Sequence, residues 1–134
     1  MTTTMTVPAW FAQQQEAALQ QYDSLPMPSR KDETWRFGNL KQLDFEAYAP
    51  EENADISYKI PELPEGVICL PFEQALQQHG ELMQQYFMRR ETRLGSAKFA
   101  ALHKAHVNGG LFVYVPDGVK VEQPIEVSHV IGGE

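Results

Sequence analysis

The sequence predicts an α+β fold, a mostly helical N-terminal region followed by short strands, and three observations carry that expectation. Apolar residues recur at helical steps over residues 8–25, 72–87 and 96–107. After Gly110 the period changes to short extended runs rich in Val, Ile and aromatics. Pro or Gly then interrupts those runs every few residues, a spacing that suits a β-solenoid or a sandwich. The expected division is a helical domain over residues 1–110 and the opening of a β-domain over residues 111–134.

The first helix is expected to begin at Pro8, a residue suited to a first turn, with Thr6 or Val7 at the cap, and to end near Asp23. Phe11, Ala18, Tyr22 and Leu25 make its apolar stripe, and the glutamines between them its wet side. Leu25-Pro-Met-Pro28 cannot continue the helix, because each proline pushes the residue before it into extended backbone. Asn39 is placed to cap a short turn through Leu40 and Leu43. Residues 49–66, with three prolines and several acids, read as irregular surface chain with one edge strand near Ile56–Ile60.

Val67-Ile-Cys-Leu70, set between Gly66 and Pro71, reads as a brief buried strand. Phe72, Ala75, Leu76, Leu82, Met83, Tyr86 and Phe87 follow at helical spacing, with Gly80 splitting the run into two helices. Ser96 caps the next helix, whose core candidates are Phe99, Leu102 and Val107, and Gly109-Gly110 is expected to end it as a left-handed cap. Strands are then expected over Leu111–Val115, Val119–Val121 and Ile125–Ile131, with a turn at Pro116-Asp-Gly118. Nothing follows to cover these strands, so the 134 residues read as the front of a longer protein.

Composition narrows the function. With 43% apolar residues the chain can bury a core. Its 11 Lys plus Arg against 18 Asp plus Glu give a formal charge of −7, which argues against affinity built on phosphate neutralisation, and so against nucleic acid. One cysteine, Cys69, excludes an internal disulfide and a cysteine-rich metal site. No apolar run reaches the ~18 residues of a membrane span, which also excludes a transporter. Residues 1–6 lack the charged and apolar blocks of a secretory leader. The expectation is a reduced, soluble, cytoplasmic protein.

Candidate site residues are few. His103 and His106 stand three apart on one helix and could share a metal, but no third ligand is marked by spacing, so two boundary histidines are expected. His79 falls in an apolar stripe, where it either packs, caps the helix before Gly80 or titrates as a switch. His129 sits on a strand, its face undetermined. The apolar neighbours of Cys69 raise a thiol pKa, which suits a structural cysteine better than a nucleophile. No Ser–His–Asp order, phosphate-binding glycine loop or telling carboxylate pair is present, so no enzyme activity is expected. Glu33, Trp35, Arg36 and Phe37 form the most unusual cluster. Arg and aromatics are the residue types that anchor interfaces; alternatively Trp35 and Phe37 pin the loop to the first helix while Arg36 meets a local acid.

Lys31-Asp-Glu-Thr-Trp-Arg-Phe37 and Phe99-Ala-Ala-Leu-His-Lys-Ala-His-Val-Asn-Gly-Gly-Leu-Phe-Val-Tyr-Val-Pro-Asp-Gly-Val119, running on into Val121-Glu-Gln-Pro-Ile125, resemble the SufB/SufD family of iron–sulfur cluster assembly proteins. The Glu-x-x-Arg frame around Trp35 favours the SufD branch. The resemblance implies a helical N-terminal region, then a right-handed parallel β-helix of which residues 111–134 would be the first strands. It implies a non-catalytic scaffold subunit of the SUF system that pairs with SufB and with the SufC ATPase in a SufBCD complex. Partner contacts and cluster-building residues of the family lie beyond Glu134, so no catalytic, metal or cofactor residue carries over. The cluster would be assembled on the full complex rather than bound by this stretch. Family members are expected to carry Asn and an apolar residue in place of His103 and His106, which disfavours a shared metal role for that pair.

Two other readings remain. One is a stand-alone interaction module that uses the Trp35/Arg36 loop to recruit a cysteine desulfurase or sulfur carrier. The other is a metal-binding enzyme domain centred on His103 and His106. Uncovered strands over residues 111–131 also predict self-pairing of the chain into a strand-mediated dimer.

Overall fold

The structure, a computed structural model, describes residues 7–47, 55–90 and 95–130. In chain order it contains helix α1 (Ala9–Ser24), short 3-10 helices at Glu33–Trp35 and Phe45–Ala47, strand β1 (Asp55–Lys59), strand β2 (Ile68–Pro71), helices α2 (Phe72–Gln78), α3 (Gly80–Tyr86) and α4 (Ala97–His106), and strands β3 (Leu111–Tyr114) and β4 (Glu126–Val130). The α+β class predicted from periodicity is the observed one. Contacts gather the chain into two units, residues 1–50 with 84–107 and residues 51–83 with 108–134.

In the first unit α1 packs along α4. Pro8, with extended backbone (φ −57°, ψ 144°), is the N-cap of α1 rather than its first helical residue, and its carbonyl accepts from Phe11 and Ala12 N–H at 3.0 and 3.1 Å. Phe11 and Ala18 bury the stripe, whereas Tyr22 and Leu25 are half-buried. On α4 it is Ala101 that is buried, a residue absent from the predicted core; Phe99, Leu102 and Val107 are half-buried. Each helix has its C-terminal carbonyls met by a side chain of the other. Lys98 Nζ donates to Tyr22 O at 2.8 Å and Leu25 O at 2.7 Å, and Gln15 Nε2 donates to Val107 O at 2.9 Å. Those carbonyls lie at the C-terminal ends of the helices, where a helix runs out of its own donors, and the two helices therefore run antiparallel. Two aromatic clusters complete the unit. Trp10, Phe11 and Phe87 lie with ring centroids 5.7–6.2 Å apart, and Phe99 is met edge-on by Trp35 and Phe45 at 5.5 and 5.4 Å, the edge-to-face geometry that aromatic quadrupoles prefer.

In the second unit Phe72, Ala75, Leu76 and Met83 form the buried core, and α2 lies against β2 and β3. The helical run splits where expected, at Gly80: His79 leaves helical backbone (φ −131°, ψ 32°) and α3 begins at the next residue. Tyr86 is 65% exposed and drops out of the predicted apolar stripe, whereas Phe87 is half-buried. Strand β2 falls where Val67–Leu70 was expected, half-buried rather than buried.

Both ladders are antiparallel. β1 pairs with β4 from Asp55↔Val130 to Lys59↔Glu126, and β2 pairs with β3 from Ile68↔Tyr114 to Pro71↔Leu111. Strands after residue 110 thus pair with strands that precede α2, and no coil of a parallel β-helix is present among the described residues. Two further expectations need correction. Val119–Val121 is not a strand: Val119 and Val121 are half-buried around an exposed Lys120, but among the described residues no strand pairs with them, and alternation without a partner leaves the ladder unmade. Gly109-Gly110 is not a left-handed helix cap. The chain leaves α4 through extended backbone at Val107 (φ −63°, ψ 120°), and Gly110 has φ +142°, a conformation that only glycine adopts readily. The Pro116–Gly118 turn is present, with Gly118 at φ +76° and Val119 N–H donating to Pro116 O at 3.2 Å.

Candidate functional site

Residues 29–38 are held by local polar bonds. Asp32 Oδ2 accepts from Ser29 N–H at 2.9 Å and Ser29 O accepts from Asp32 N–H at 2.9 Å, closing a reciprocal turn. Trp35 N–H donates to Asp32 O and Gly38 N–H to Trp35 O, each at 2.9 Å. This winds Glu33–Trp35 into a 3-10 helix and sends neighbouring side chains in opposite directions. Trp35 turns inward: its indole N–H donates to Gly95 O at 2.7 Å and its ring meets Phe99 edge-on. Phe37 turns outward, 93% exposed, with the Arg36 guanidinium 5.6 Å from its ring centroid. The packing alternative foresaw an anchored Trp35, but the anchor is the start of α4 and not α1, and Phe37 pins nothing. Among the described residues Arg36 forms no ion pair. Glu33 is exposed. The four residues therefore divide into one internal fastener and three exposed side chains. Such a pair, a cation stacked over an uncovered aromatic, can take up a partner's apolar or π surface.

In the second unit a cleft of about 210 Å³ is lined by Ile56, Tyr58, Phe72, Glu73, Asn108 and Gly110 among others. The Tyr58 hydroxyl donates to Gly110 O at 2.8 Å, and Phe72 N–H donates to the same oxygen at 2.9 Å. Burial first, and then the Glu73 carboxylate, push the Tyr58 phenol above its ordinary value, partly offset by its bond to Gly110. A phenol kept protonated serves here as a tie to the Gly110 carbonyl. The glycine pair and Tyr58 were not singled out in the sequence for this role; the one available signal was Gly-Gly immediately before a strand.

The remaining candidates are dispersed. His103 and His106 are both exposed on α4, and among the described residues no group of three or more His, Cys, Asp or Glu could hold a metal ion. His79 is the C-cap of α2: its N–H donates to Ala75 O at 2.7 Å and its carbonyl accepts from Met83 N–H at 3.0 Å. His129 stands opposite Ile56 in the β1–β4 ladder, on the face shared with Tyr58 and Val127, and is exposed. Cys69 stands opposite Val113 in β2, half-buried, and burial pushes its thiol up, which disfavours the thiolate a nucleophile needs.

Comparison with known proteins follows the same lines. A family model described as the SufBD protein N-terminal region matches residues 53–127. The iron–sulfur cluster assembly protein SufD of Bacillus subtilis is 32% identical over 155 residues, an alignment covering 92% of this chain and 35% of that protein. An iron–sulfur cluster assembly SufBD family protein of Pyrococcus horikoshii is 31% identical over 81% of this chain and 25% of its own length. One from Staphylococcus aureus (strain USA300) is 38% identical over 52% of this chain and 15% of its own. The chain spans about a third or less of the length of these relatives. The matched residues take in β1, β2, α2, α3, α4 and β3, end within β4, and leave out the Trp35 segment. The chain belongs to the SufB/SufD family, and residues 53–127 are its copy of that family's N-terminal region.

Proposed function

We propose that this chain acts in iron–sulfur cluster assembly as the N-terminal region of a SufD-like, non-catalytic scaffold subunit in the cytoplasm. The match of residues 53–127 to the family's N-terminal region is the observation that carries this reading. Likeness to the B. subtilis SufD over 92% of the chain supports the SufD branch. In this reading the subunit pairs with SufB-like and SufC-like proteins in a SufBCD-type complex, and the iron–sulfur cluster is the product of the assembly rather than a resident cofactor. Residues 111–134 lead into a right-handed parallel β-helix, with the antiparallel β1–β4 and β2–β3 ladders as its entrance. That no helix among the described residues is long and apolar enough to cross a membrane is compatible with this reading.

The test is affinity purification of the tagged gene product from its own cells, with mass spectrometry of what comes along. SufB-like and SufC-like proteins in near-stoichiometric amounts are expected. Recovery of intact tagged protein without either one overturns the reading. A second reading, the stand-alone interaction module, is favoured by the 93% exposure of Phe37 beside Arg36. It predicts a partner, such as a cysteine desulfurase or sulfur carrier, that is lost on Arg36→Ala or Phe37→Ala from a protein that still folds.

A further inference from the structure

Within the first unit, residues 27–43 enclose a cleft of about 450 Å³ whose floor is Met27, Leu40 and Leu43 and whose charged lining is Arg30, Lys31 and Lys41. Its chemistry runs against that of the whole chain. Residues 27–43 hold four basic residues (Arg30, Lys31, Arg36, Lys41) and two acidic ones (Asp32, Glu33), a local surplus of two positive charges in a chain of net −7. One of those two acids is already committed, since Asp32 Oδ2 accepts from the Ser29 backbone. Among the described residues no carboxylate lies within ion-pair distance of Arg30, Lys31 or Lys41. The apolar floor is uncovered as well: Met27 is 36% exposed and Leu43 43%.

Three cations with no carboxylate partner among the described residues, set around an apolar floor, complement a ligand that is both acidic and apolar. We propose that this cleft is the docking site for an acidic peptide segment of a partner protein, its aliphatic side chains seated on Met27, Leu40 and Leu43 and its carboxylates facing Arg30, Lys31 and Lys41. Nucleic acid fits less well. An aliphatic floor offers bases no aromatic platform. The local geometry suits a preformed site: the reciprocal Ser29–Asp32 turn and the Asn39 side chain, whose Oδ1 accepts from Lys41 N–H at 3.3 Å, fix the backbone on both sides of the cleft. The site lies outside the residues matched to the family model, and its test does not use the role in cluster assembly.

The experiment titrates the 134-residue chain into a fluorescein-labelled peptide of alternating Glu and Leu and follows anisotropy. Saturable binding is expected, at least about tenfold weaker in the Arg30→Glu/Lys41→Glu variant, a change of about 1.4 kcal/mol, and several-fold weaker at high salt. Both substituted residues are exposed, and circular dichroism checks that the variant is folded. Chemical-shift mapping on the parent chain supplies a second readout that needs no variant, with shifts expected at Leu40 and Leu43. Equal binding of an alternating Lys and Leu peptide overturns the proposal, as does unchanged affinity in the folded variant or shifts confined elsewhere. Equal binding of a Glu and Ser peptide removes the apolar floor from the account and overturns it too. Tighter binding to phosphatidylglycerol vesicles than to the peptide would assign the cleft to a lipid surface and likewise overturn the peptide assignment.

Discussion

Lys98 should be the most costly exposed-type side chain to lose from the first unit. It stands in the first turn of α4, yet its ammonium donates to Tyr22 O at 2.8 Å and Leu25 O at 2.7 Å and sits 4.1 Å from the Tyr22 ring centroid. Helix α1 has no basic residue in its own last turn, so Lys98 is the cation at its negative end. Hydrogen bonds from a charged donor contribute about 1.5–3 kcal/mol each when well buried. Here the group is half-exposed, and ordering a lysine costs up to about 2 kcal/mol. The helix-end charge adds about 0.3–1 kcal/mol and the cation–π contact about 0.5–1 kcal/mol. Together these put Lys98→Met at about 2 kcal/mol of destabilisation, the methionine keeping most of the apolar stem. Urea denaturation followed by circular dichroism reads this directly, with a loss of the order of 5–10 °C in Tm alongside. A Tyr22→Leu variant removes the ring but not the carbonyl, so it should cost less than Lys98→Met, and the pair should be non-additive. A Lys98→Met variant within about 0.5 kcal/mol of the parent would refute the view that this side chain ties α4 to the end of α1.

Gly110→Ala should destabilise the second unit by roughly 1–3 kcal/mol, because φ +142° is closed to a residue with a Cβ; a denaturation midpoint equal to the parent's would contradict this. Cys69 should react with iodoacetamide more slowly than a free thiol at neutral pH, its pH–rate midpoint lying above 9.0 because burial favours the neutral form. By the same sign, the stability owed to that neutral thiol is complete below the free-thiol pKa and lost as pH rises through the folded one, and a midpoint at or below 9.0 would be the adverse result. The β1–β4 sheet has two strands and hence two outer edges without a ladder partner among the described residues. Sedimentation should show concentration-dependent self-association that Val130→Lys weakens, Val130 being 63% exposed; a monomer at every concentration would exclude it.

Elements governed by local periodicity and punctuation were legible in the sequence. The Phe11/Ala18 stripe, the break at Gly80, the Ser96 cap (its Oγ accepting from Phe99 N–H at 3.4 Å) and the turn at Gly118 all stand close to where spacing places them. What depended on distant partners was not legible. Alternation at Val119 and Val121 looks like a strand, but pairing decides, and the neighbours of β1 and β2 lie far along the chain at β4 and β3. Gly109-Gly110 after a helix reads as a cap, whereas Gly110 takes φ +142° and its carbonyl accepts from Phe72 and Tyr58, partners far away in the sequence. Trp35 was legible as an anchor by residue type, but its receiver, Gly95 O, is a backbone atom with no sequence signature. Lys98 reads as a solvated helix residue, since nothing nearby in sequence announces the carbonyls it serves. The cleft beside the Trp35 segment was half legible: its charges crowd together in the sequence, while its apolar floor, gathered from Met27, Leu40 and Leu43, does not.

The central claim, a scaffold subunit for cluster assembly, is tested most directly in cells from which the gene encoding this chain is deleted. The specific activity of an iron–sulfur enzyme such as aconitase is measured against that of enzymes without clusters. The account predicts a fall in the iron–sulfur enzyme alone, with its polypeptide still present and its activity restored by the intact gene. Undiminished aconitase activity under iron limitation and oxidative stress, where cluster assembly is most taxed, would contradict it.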